Sequence, residues 1–134
     1  LKGAKSVIAC DIDAAAIDNA EINVRRNQVA NKVTVVKSDL FSNVKGKFDF
    51  IFANLPILDE VWGKKGSAKR VYERFLEEAG DHLHPTGRIF FTWASFADID
   101  VPKSICTKNG WSFKVTSEEK QDHTWFIFEL SRKD

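Results

Sequence analysis

The sequence predicts an α/β fold: a doubly wound, mostly parallel sheet that closes on a C-terminal antiparallel hairpin. Three observations carry this. Short β-rich runs alternate with helical segments along most of the 134 residues, a pattern that requires crossover connections and parallel strands. The run FDFIFA at 48–53 is apolar on both faces, as expected of a buried parallel strand. The two last runs, WSFKVTSEEK and HTWFIFELSR, read as a closing antiparallel pair.

The elements follow in order. Residues 6–13 form a short β-rich run that ends in acids. Residues 14–28 place Ile17, Ala20, Val24 and Gln28 near helical spacing, with Asp13 set to cap the start. Residues 32–39 read as a second strand and 47–54 as the third. A helix is predicted over 67–83, with Val71, Phe75, Ala79 and Leu83 four apart as its inner stripe and Pro85 and Gly87 ending it. Residues 87–95 form a fourth strand. A helix over 98–110 begins around Pro102 and stops at Asn109-Gly110. Repeats, linkers and low-complexity segments are absent from the sequence, so one domain over 1–134 is expected.

Composition narrows the class. Hydrophobic residues make up 43% of the chain and the net charge is +1, so there is enough apolar side chain for a core and any basic footprint must be local. Mean hydropathy is −0.28, and no apolar run approaches the about 20 residues of a membrane span. Cys10 and Cys106 lie in apolar stretches without metal spacing and read as reduced core thiols, which suits a cytoplasmic setting. His82, His84 and His123 do not converge with other ligand types, so no metal is expected.

In doubly wound sheets, ligands bind at the carboxyl ends of the strands. The residues to inspect are therefore Asp11, Asp39, Asn54 and the stretch after Thr92. Asp11 can accept hydrogen bonds from both hydroxyls of a ribose; the plainer reading is a helix N-terminal charge, a role Asp13 fills better. Asp39 can accept from an adenine amino group, or be a turn acid. Asn54 offers an amide oxygen where a greasy strand surfaces, and Pro56 biases Leu55 toward an extended backbone whose carbonyl is a second acceptor. Two acceptors on one NH2 group would aim its nitrogen lone pair, which is catalysis by positioning. A polar strand exit closed by proline is the structural alternative.

VIACDID, VVKSDLF, FDFIFANLPI and HLHPTGRIFF, in that order, resemble the class I methyltransferases that use S-adenosylmethionine, with a Rossmann-like fold. Within them the chain is most similar to the small-domain N-methyltransferases, which modify amino groups of RNA or DNA bases or a glutamine of release factors and ribosomal proteins. AEINVRRNQV resembles that group's helix, with Asn23 and Asn27 at its asparagine positions. The resemblance implies that Asp11 holds the ribose, Ile12 packs on the adenine, and Asp39 with Leu40 frames the adenine edge. It implies a catalytic segment Asn54-Leu55-Pro56 that holds the target amine, with Asn54 also bordering the cofactor. The implied partners are ribosomal or transfer RNA, or a protein substrate.

Two departures stand out. The family's Asn-Pro-Pro-aromatic motif is here Asn54-Leu55-Pro56-Ile57; Trp62 could supply the missing stacking face, or simply pack on the sheet edge. The family's first strand and glycine-rich loop have no counterpart either: none of the seven glycines forms Gly-x-Gly. The expectation is a chain lacking its N-terminal portion, with a central strand missing between those ending at Asp11 and Asn54, and poor cofactor binding as it stands. Strand exchange in a homodimer is one way to fill such a gap.

Lys64, Lys65, Lys69, Arg70 and Arg74 form a basic cluster that would suit RNA phosphate, but Glu73, Glu77 and Glu78 favour a solvated helix face. Two alternatives remain open. One is a non-catalytic methyltransferase-fold module. The other is a nucleotide-binding oxidoreductase domain, which shares the ribose acid but needs a Gly-x-Gly-x-x-Gly fingerprint.

Overall fold

The computed structural model describes residues 3–59 and 65–133. Trp62 and Lys64 lie outside the described residues. The chain divides into two units, Leu1–Gly46 and Lys47–Asp134, each with its own sheet.

In the first unit, β1 (Val7–Asp11) pairs in parallel with β2 (Val33–Lys37), joined by α1 (Ala14–Arg26). Asp13 caps α1, its side chain accepting from the Ala15 N–H at 3.2 Å. The helix stops in a left-handed residue, Gln28 at φ 57°, whose neighbour Val29 donates to the Val24 carbonyl at 3.1 Å. Burial here is thin. Val33 and Val44 are the buried apolar side chains, and no residue of α1 is buried.

In the second unit, the order is β3 (Phe48–Ala53), α2 (Ser67–Glu78), a 3-10 turn (Ala79–His82), β4 (Leu83–Ala94), α3 (Asp100–Lys108), β5 (Trp111–Lys120) and β6 (His123–Arg132). The sheet runs β3-β4-β6-β5, with β3 parallel to β4 and the other pairs antiparallel. The expected α/β fold, with parallel strands and a closing antiparallel hairpin, is present; in this sheet β3 and β4 are the parallel pair, and the hairpin supplies the antiparallel pairs. The hairpin turns on Gln121 and Asp122, at φ 51° and 62°; two consecutive left-handed residues match the right-handed twist of the flanking strands. Tyr72, Phe91, Trp93 and Phe128 centre the core, with the Phe91 and Phe128 rings stacked at 4.7 Å and Tyr72 edge-on to Trp93 at 5.0 Å.

Four expectations need correction. The helix expected to 83 ends at Glu78, and it buries Ala68, Tyr72, Phe75 and Leu76. A strict four-residue row drifts around a helix of about 3.6 residues per turn, so the buried stripe must mix steps of three and four. Pro85 and Gly87 do not end that helix. They lie in β4, where the register jumps from Phe48↔Leu83 to Phe50↔Arg88 and the extra residues bulge out. A Cβ on Gly87 would stand 2.9 Å from the Asp49 carbonyl oxygen, which is why the close strand crossing takes glycine. β3 is not buried on both faces: Ile51 is, but Phe50 and Phe52 are 60% and 74% exposed. β3 is an edge strand of its sheet, and Phe52 finds its ring partner in Phe90 at 5.2 Å. Of the two cysteines, Cys106 is buried, with its thiol pushed up to about 12 by desolvation, but Cys10 is exposed.

Candidate functional site

In the first unit, the structure gathers Asp11, Ile12, Asp39 and Leu40 at the carboxyl ends of the two parallel strands. Asp11 ends β1, and its carbonyl accepts from the Ser38 N–H at 2.9 Å, so the pairing with β2 persists one residue beyond the ladder. The Asp11 side chain is exposed and held in place by the Asp13 N–H, 2.9 Å from Oδ1. Asp13 itself caps the helix, as the sequence suggests. Ile12 is 51% exposed, an apolar surface beside that carboxylate.

The turn after β2 is tied down by Ser38, a residue that sequence reasoning passed over. Its buried hydroxyl donates to the Leu40 carbonyl at 2.7 Å and accepts from the Asn43 N–H at 2.9 Å. The Asp39 N–H donates to Ser42 Oγ at 3.2 Å, and the Asn43 amide donates to the Lys37 carbonyl at 2.9 Å. These bonds hold Leu40 at φ 52°, a left-handed conformation unusual for a bulky residue and one that tends to occur at functional sites. Asp39 is exposed on this turn. The only local signal for Ser38 is a small hydroxyl at a strand exit.

In the second unit, β3 delivers Asn54 and Leu55 just past its last ladder pair, Ala53↔Phe91. One step further along that register stands Thr92, whose hydroxyl donates to Asn54 Oδ1 at 2.7 Å. Tyr72, on α2 and fully buried, shares its single hydroxyl hydrogen between two carbonyls, Leu55 at 2.9 Å and Thr92 at 3.1 Å. Burial pushes the Tyr72 phenol well above its ordinary value, so it stays a proton donor throughout the physiological range. Asn54 is exposed, while Leu55, Pro56 and Ile57 are half-buried.

Asp59 closes this segment, accepting from the Gly66 N–H at 2.8 Å and the Ala68 N–H at 3.0 Å. Those two bonds, the Gly66 one foremost, hold its carboxyl below the usual carboxylate range. Of the basic cluster, Lys69 is 3.8 Å from Glu73 across one helical turn, which fits the solvated-face reading.

In doubly wound α/β folds, the carboxyl ends of parallel strands, where Asp11, Asp39 and Asn54 stand, are the usual place for a ligand. The family model described as "Methyltransferase small domain" matches residues 2–108, and the chain belongs to that family. Ribosomal protein L11 methyltransferase of Thermotoga petrophila is 31% identical over 130 residues, which are 97% of this chain and 43% of that protein. A putative protein N5-glutamine methyltransferase of Methanocaldococcus jannaschii is 35% identical over 100 residues, 64% of this chain and 49% of that protein. A crystal structure of a methyltransferase from Pyrococcus furiosus superposes with a TM-score of 0.75 at 28% identity, over 96% of this chain and 64% of that one. The chain thus spans less than half the length of these two sequence relatives. The family assignment removes the ground for the oxidoreductase alternative.

Proposed function

We propose that the protein is an S-adenosylmethionine-dependent N-methyltransferase acting on an amino nitrogen of a nucleic-acid base or a protein glutamine. The observation that carries this reading is the pair of acceptors at the end of β3. Asn54 Oδ1 and the Leu55 carbonyl are adjacent in sequence, and each accepts from a hydroxyl, Thr92 for the first and Tyr72 for the second. Each oxygen keeps a second lone pair, so together they can take both hydrogens of one NH2 group.

The residues at the end of the first unit's sheet suit the nucleoside of the cofactor. Asp11 presents an exposed carboxylate oriented by a backbone N–H, the group a ribose diol takes. Ile12 offers apolar surface for a flat ring, and Asp39 and Leu40 sit on a turn whose backbone is fixed by Ser38. When bound, S-adenosylmethionine supplies a sulfonium methyl that is electrophilic without further activation. The chain's own part is to hold the amine, point its lone pair and exclude water. In the transfer the S–CH3 bond would break to leave the thioether, an N–CH3 bond would form, and one N–H proton would be lost to solvent.

The relatives' names bear on the substrate. One is a ribosomal-protein methyltransferase and another a putative glutamine methyltransferase, which supports a protein amide beside the base amine as target. Calorimetric titration of S-adenosylhomocysteine into the full-length protein tests the cofactor half. Asp11→Ala is expected to weaken binding about tenfold or more, since a charge-assisted hydrogen bond is worth ~1.5–3 kcal/mol. Equal affinity of the two proteins would remove Asp11 from the site.

A further inference from the structure

We propose that Thr92 and Tyr72 are positioning residues that hold Asn54 and Leu55 in the acceptor orientation; this rests on the methyl-transfer reading above. An asparagine amide can rotate to present either its oxygen or its NH2 at the same place. An NH2 presented to an incoming amine would repel it. The Thr92 hydroxyl donates to Oδ1 at 2.7 Å, and in that arrangement it holds the oxygen end of the amide in place. Likewise a peptide plane at a strand exit has no ladder to fix it, and the Leu55 carbonyl gains its anchor from Tyr72 at 2.9 Å.

Packing alone accounts for the Tyr72 ring but not for its hydroxyl. The ring lies edge-on to Phe91 at 5.6 Å and to Trp93 at 5.0 Å, contacts that phenylalanine would make equally well. The hydroxyl reaches past them to the Leu55 and Thr92 carbonyls. Thr92 joins both parts: its side chain meets Asn54 and its carbonyl meets Tyr72. The three contacts form one connected network behind the two acceptors, built from β3, α2 and β4. With one lone pair of each acceptor engaged from the protein side, the other is left for substrate.

The test uses the full-length protein with two readouts. The first needs no substrate: the side-chain amide signal of Asn54 in a 15N–1H spectrum, assigned by its loss in Asn54→Ala. Thr92→Val keeps the shape and removes the hydroxyl, and is expected to shift or broaden that signal; Thr92→Ser keeps the hydroxyl and is expected to leave it near its wild-type position. The second is transfer of labelled methyl from S-adenosylmethionine to purified ribosomes, which present protein and RNA acceptors together. Thr92→Val and Tyr72→Phe are expected to lower kcat by about 10–100-fold with the KM for S-adenosylmethionine unchanged, and Thr92→Ser to restore it. If Thr92→Val does not fold, Thr92→Ala carries the same comparison. An unmoved Asn54 signal in Thr92→Val, or full kcat in Thr92→Val beside an inactive Asn54→Ala, overturns the positioning role and leaves the methyl-transfer reading standing. Wild-type kcat in Asn54→Ala overturns that reading, and the positioning role with it.

Discussion

The residues of the proposed site differ in how plainly the sequence displays them. Asp11, Asp39 and Asn54 are legible because each follows a β-rich run and carries a polar group out of it. Tyr72 and Thr92 are not. Thr92 and Asn54 are 38 positions apart, and their bond exists only because β3 and β4 align in one register. A threonine within a strand reads as a β-former, and a tyrosine on a helix stripe as core; nothing local announces the hydrogen bonds these hydroxyls make. Backbone strain is equally hidden. Gln121 and Asp122 adopt left-handed angles without being glycine or asparagine, so the hairpin turn lacks the usual signature although its strands are plain. Asp122→Gly is expected to raise unfolding stability by about 0.5–1 kcal/mol, measured by denaturant titration, because glycine meets φ 62° without steric cost.

Among the elements, β5 and β6 appear with the bounds their alternation implies, and α3 stops at Asn109-Gly110 as capping rules require, with Asn109 donating to the Ile105 carbonyl at 2.9 Å. α2 shows where local reasoning runs out. Its true stripe is set by the aromatic core, and the carbonyls just beyond its C-terminus are taken up by a distant residue, Arg132, which donates to Gly80 at 2.6 Å and to Leu83 at 2.9 Å. Its N-terminus depends on Asp59, well before the helix begins. The folded Asp59 carboxyl titrates below its unfolded value, so its contribution is present above the ordinary carboxylate range and is lost as pH falls through the lowered folded value. Asp59→Ala is therefore expected to melt at a lower temperature than wild type near pH 7. The gap between the two melting temperatures should narrow as the pH is taken down toward about 3, below the ordinary carboxylate value. A gap that stays constant over that range would mean the carboxylate's charge contributes nothing to capping α2.

At the scale of the whole molecule, the alternation of strands and helices is legible because crossover connections leave a periodic trace, and the parallel pairs β1–β2 and β3–β4 follow from it. Burial of β3 is not legible, since its five apolar residues around Asp49 read the same whether or not a neighbour covers them. Here β3 has one ladder partner, and Phe50 and Phe52 remain exposed. The proposed function assigns the nucleoside to residues of the first unit, Asp11 and Ile12, and the amine to residues of the second, Asn54 and Leu55. The central claim is that Asn54 receives the amine that is methylated. The most direct measurement is incorporation of labelled methyl from S-adenosylmethionine into purified ribosomes by the full-length protein and by Asn54→Ala. The account predicts labelling by the wild type and a loss of about 100-fold or more in the variant, as expected when a positioning contact to the reacting group is removed. Equal labelling by the two proteins would contradict it.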